Sequence, residues 1–62
     1  MNNYKVEVRG TRIIVTNPQG EIAYGYVTES GSWGAKTKNA YIALKVANKQ
    51  VNINEVIKEE NK

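Results

Sequence analysis

Three groups of side chains in this 62-residue chain have the types and spacing to hold a ligand. The first is the run "ESGSWGAKTKNAY", residues 29–41, where the single tryptophan, Trp33, sits between Gly31 and Gly34 and is followed by Lys36, Lys38 and Tyr41. Single-stranded nucleic acid asks for an aromatic ring with spaced cations, because bases stack on the ring and phosphates meet the ammonium groups. The same ring suits two other roles. Tryptophan is enriched at protein hot spots, and in a chain with no Phe it could fold back to plug a core short of bulk.

The second group is Tyr24 and Tyr26 on either side of Gly25. At i and i+2 of a strand they share one face with Ile22, while Ala23, Gly25 and Val27 share the other. If the small face packs inward, both rings form an outer platform. If the rings pack inward, each hydroxyl must find a partner at the rim. We expect a mixture, with one tyrosine partly exposed. The third group is Arg9 and Arg12, the two arginines of the chain, flanking Gly10-Thr11, with Lys5 on the face of Arg9. A guanidinium forks phosphate and carboxylate better than an ammonium does, so this bend is the expected phosphate contact. An ordinary solvated face, with Arg9 beside Glu7, is the plainer alternative. Lys45 completes the expected nucleic-acid-binding set: Arg9, Arg12, Tyr24, Tyr26, Trp33, Lys36, Lys38 and Lys45.

Other chemistries are poorly provided for. The chain has no His, no Cys and no Asp, so disulfides cannot form and the common zinc and iron ligands are missing. No nucleophile–base pair is present for catalysis to build on. We therefore expect neither an enzyme nor a cofactor. "GSWG" lacks the strand–loop–helix context of a phosphate loop. The net charge is +3, and it is uneven: residues 1–50 carry seven Lys/Arg against three Glu, while residues 51–62 carry two Lys against three Glu. A basic body with an acidic-leaning tail suits nucleic acid or an acidic protein surface. No apolar run approaches the ~20 residues that span a bilayer. The opening "MNNYKVEVRG" has no apolar signal core, so cytoplasm is the expected compartment.

The elements that must position these residues read as strands. Residues 4–9, "YKVEVR", alternate with Tyr4, Val6 and Val8 on one face. "RIIVT" (12–16) is rich in β-branched residues. "NPQG" (17–20) is a strong hairpin signal. The return strand "EIAYGYVTE" (21–29) carries Gly25 in its middle, where glycine marks a bulge or bend. After the loop 30–39, "AYIALKV" (40–46) and "QVNIN" (50–54) read as strands joined by a turn at 47–49. Asn54 then caps a short terminal helical turn, with a last short strand through 56–58 as the alternative.

Five short strands in one small domain, residues 1–58 with a frayed charged tail at 59–62, predict an all-β fold closed into an antiparallel barrel, since closure removes exposed edges. The strand spacing, Gly25 and the ending "VNINEVIK" resemble SH3-like and Sm-like barrels over about residues 4–58. The resemblance implies a barrel with a glycine-bent long strand and assigns no site.

Two functions fit. The first is a non-catalytic nucleic-acid-binding accessory or regulatory protein, of low sequence specificity because no base-reading motif is visible. Its size and its Lys-, Asn- and Ile-rich composition suit a phage or plasmid element. The second is a protein-interaction module or small inhibitor, anchored by Trp33 and an exposed strand edge. A homodimer would serve either.

Overall fold

A computed structural model describes residues 3–60 of the chain. Three strands form an antiparallel meander: β1 (Lys5–Arg9), β2 (Arg12–Thr16) and β3 (Ile22–Val27). A two-residue strand, β4 (Trp33–Gly34), adds to the far side of β3, giving the order β1-β2-β3-β4. Two helices follow, α1 (Lys38–Gln50) and α2 (Ile53–Glu60).

The expected five-stranded SH3-like or Sm-like barrel does not form. The sheet is open and four-stranded, and the segment assigned to the last two strands is helical. Ile42, Leu44 and Val46 alternate as a strand would, but Ala40, Leu44, Ala47 and Val51 recur at helical spacing on one side. The helical period wins because the segment is rich in alanine and contains no breaker. All five glycines and the single proline lie at or before residue 34. Thr37 starts α1 as its N-cap, its hydroxyl accepting the Ala40 N–H at 3.1 Å. Asn52, rather than Asn54, starts α2: its side-chain oxygen accepts the N–H groups of Asn54 (3.1 Å) and Glu55 (3.4 Å). Asn48 reaches across from α1 to accept the Ile53 N–H at 2.8 Å. α2 runs on through Glu59 and Glu60, and the rest of the expected charged tail lies outside the described residues.

The hairpin at "NPQG" forms as the sequence predicts, and the bend at Gly10-Thr11 is itself a hairpin turn that pairs β1 with β2. Arg9 faces Arg12 across Gly10-Thr11. At the second turn Gly20 donates to the Asn17 carbonyl at 2.9 Å, and the Asn17 side chain bonds both the backbone N–H (2.8 Å) and the carboxylate (2.9 Å) of Glu21.

Alternation gives the sheet two faces. Val6, Val8, Ile13, Val15, Ala23, Gly25 and Val27 face inward, toward both helices. α1 lies beneath β3 and β2, and α2 lies beneath β1. The core consists of Val8, Ile13 and Val15 from the sheet with Leu44, Ala47, Ile53 and Ile57 from the helices. Each large side chain buried there contributes about 1.5–3 kcal/mol. Gly25 does not bend a barrel wall. It leaves the space into which Leu44 packs, since a methyl there would collide with that side chain and come within 2.7 Å of the Gly34 carbonyl oxygen. No helix among the described residues is long and apolar enough to cross a membrane.

Candidate functional site

With both helices on one side, the other face of the sheet is open to solvent. The register sorts it into three cross-strand rows: Arg9–Arg12–Tyr26, Glu7–Ile14–Tyr24 and Lys5–Thr16–Ile22. Directly opposed residues have Cβ atoms ~4.5–5.5 Å apart, and rows on one face lie ~6.5 Å apart along the strands. The patch therefore measures roughly 10 Å across the strands and 13 Å along them. It carries three cations, one carboxylate, two phenol rings and two isoleucines. Ile22 is 56% exposed, Tyr24 55% and Tyr26 40%. Both tyrosines thus lie outside, not one of each kind, because the inner side of β3 at Gly25 is filled by Leu44.

Local contacts hold the polar groups. The Arg9 Nε donates to the Glu7 carboxylate at 2.7 Å, an exposed pair. Such a pair contributes ~0–1 kcal/mol, so a phosphate can displace the carboxylate at little cost. The Arg12 guanidinium carbon stands 5.9 Å from the Tyr24 ring centroid, within cation–π range.

The neighbouring edge is also distinctive. β4 pairs only with Tyr26 and Val27 of β3. The Val27 N–H donates to the Thr11 carbonyl at 2.8 Å, on the β2 side. Antiparallel bonding alternates, so Ala23 and Gly25 also bond toward β2, while the N–H and C=O of Ile22 and Tyr24 point to the open edge. A groove of about 870 Å³ runs there between β3 and α1, its lining including Arg12, Tyr24, Tyr26, Lys36, Ala40 and Ala43.

Of the expected site residues, the fold brings Arg9, Arg12, Tyr24 and Tyr26 together on one surface, with Lys36 at its rim. Trp33 is elsewhere. It pairs with the inward-facing Val27, packs half-buried against the core, and meets Tyr41 of α1 with ring centroids 5.4 Å apart. Lys38 opens α1 and Lys45 lies on its exposed side, both on an element packed against the opposite face. Lys5 and Ile22 join the patch, as does Ile14, which the sequence reading left out. Its signal was available: Ile14 follows Arg12 by two residues in the same strand.

Comparison with protein-family models, with curated proteins and with solved structures finds no match to this chain.

Proposed function

We propose that this chain is a small nucleic-acid-binding protein that acts by binding alone, through the open face of its sheet. The observation that carries this reading is the register. It gathers Lys5, Arg9, Arg12, Tyr24 and Tyr26 from three strands onto one solvated surface. Cations at one side of the patch suit a phosphate backbone, and exposed rings suit bases. Open sheets elsewhere use the same division of labour, stacking two or three bases on aromatic side chains.

Titration of labelled oligonucleotides, followed by fluorescence anisotropy at several salt concentrations, tests it. Three phosphates neutralised on a single strand give a log–log slope of about −2, a loss of roughly 20-fold between about 50 and 200 mM salt. Binding indifferent to salt, or no binding at the lowest salt, refutes the reading.

A second reading has one specific observation in its favour, the open β3 edge. A protein partner could add a strand to Ile22–Tyr24, as in β-augmentation. Trp33, half-buried beside Tyr41, offers such a partner only part of its ring. Hydrogen exchange separates the two readings: an added strand protects the Ile22 and Tyr24 amides, and a nucleic acid on the outer face leaves them exchanging.

A further inference from the structure

The two tyrosines of the open face are held differently. Tyr24 carries the Arg12 guanidinium against its ring. Tyr26 lies opposite Gly34 of β4. A Cβ built on Gly34 would stand 2.7 Å from the Tyr26 Cζ and 2.8 Å from its Cε1 and hydroxyl oxygen. Real side chains do not approach so closely, so the phenol occupies the space that any residue other than glycine would fill. Tyr26 therefore leans sideways over bare backbone, bedded on β4, while 40% of the residue stays exposed.

We infer that Gly34 positions Tyr26 as a stacking platform for unpaired bases, and that the ligand of this face is single-stranded rather than duplex nucleic acid. This rests on the nucleic-acid reading above. A base inside a duplex already has neighbours on both π-faces, and only an unstacked base can lie on a ring. Four of the nine outer positions, Ile14, Ile22, Tyr24 and Tyr26, are apolar or aromatic. They gain little from duplex phosphates and much from exposed bases. Gly34 acts here through Tyr26 and not on the ligand, so it is a positioning residue. A methyl at this site meets the far end of an exposed side chain, which can swing away. Gly34→Ala therefore displaces the ring without breaking the fold.

The test compares wild type, Gly34→Ala, Tyr26→Leu and the double variant. Each is titrated against a labelled single-stranded oligonucleotide and against its duplex, with circular dichroism confirming the fold. Wild type is expected to bind the single strand more tightly than the duplex. Gly34→Ala and Tyr26→Leu should each weaken single-strand binding by at least about fivefold, the lower end of what one stacked base contributes. The double variant should bind no worse than Tyr26→Leu alone, because Gly34 has no effect without the ring. Duplex affinity should stay the same throughout. Single-strand affinity unchanged in Gly34→Ala overturns the inference, as does a Gly34→Ala loss that persists in the Tyr26→Leu background. Preference for the duplex overturns it as well. If Gly34→Ala does not fold, Tyr26→Leu decides alone, and undiminished single-strand binding overturns the inference. A wild type that binds neither oligonucleotide refutes the parent reading instead.

Discussion

Gly25 and Gly34 lie on opposite faces of the same sheet, so one chemical change at both probes its two sides. Adding a methyl at Gly25 drives it into Leu44, which is fully buried, and to within 2.7 Å of the Gly34 carbonyl oxygen. Neither neighbour can yield: Leu44 is packed in the core, and the carbonyl belongs to a paired strand. Overpacking of this kind costs about 1–3 kcal/mol. Replacing a strand glycine with alanine returns about 0.5–1 kcal/mol of backbone entropy. With a fully buried side chain and a paired carbonyl both in the way, the cost falls in the upper part of the overpacking range, about 2–3 kcal/mol, and the net destabilisation at Gly25 is about 1–2.5 kcal/mol. In a domain of this size that lowers Tm by roughly 5–15 °C, and it lowers the urea midpoint by about 1 M with the slope unchanged. At Gly34 the methyl meets only the mobile end of Tyr26, and the packing lost by the displaced ring offsets the same backbone gain, so Gly34→Ala should stay within about 0.5 kcal/mol of wild type, as surface substitutions do. Thermal and urea melts followed by circular dichroism read both. A Gly25→Ala protein as stable as wild type would show that α1 does not press on the sheet at Leu44. A Gly34→Ala protein less stable than Gly25→Ala would show instead that the Tyr26 ring cannot swing clear of β4.

Two further substitutions test separate parts of the account. Thr37→Ala removes the cap of α1 and should cost about 1 kcal/mol, seen as a Tm lowered by about 4–8 °C, whereas Thr37→Ser should melt close to wild type. Glu7→Gln removes the one carboxylate of the outer face and frees Arg9. It should tighten oligonucleotide binding a few-fold at low salt and lose that advantage as salt screens the face, which anisotropy at two salt concentrations measures.

The first half of the molecule was legible in its residues. β1 and β2 follow from alternation and β-branching, and "NPQG" fixes the hairpin that sets the β2–β3 register. That register alone places Arg12, Ile14, Tyr24 and Tyr26 on one face. Which face is buried was not legible, because it depends on what covers the sheet. The answer came from α1, whose Leu44 fills the gap at Gly25. α1 is ambiguous in the sequence, since Ile42, Leu44 and Val46 satisfy a period of two as well as part of a helical period. Ile42 and Val46 turn out to be exposed on the helix. The absence of glycine and proline after residue 34 and the alanines at 40, 43 and 47 carried the helical signal. Trp33 could not be placed from its glycine-flanked loop. Only its pairing with Val27 directs it inward to Tyr41.

The six isoleucines provide the most direct test of the central claim. Ile13, Ile53 and Ile57 are buried in the core, Ile42 is exposed on α1, and Ile14 and Ile22 lie on the open face. Methyl resonances of isoleucine-labelled protein, recorded while a single-stranded oligonucleotide is titrated in, report all of these positions at once. Binding at the open face should shift Ile14 and Ile22 and leave the other four isoleucines nearly still. Shifts concentrated at Ile42, or none at any methyl at low salt, would contradict it.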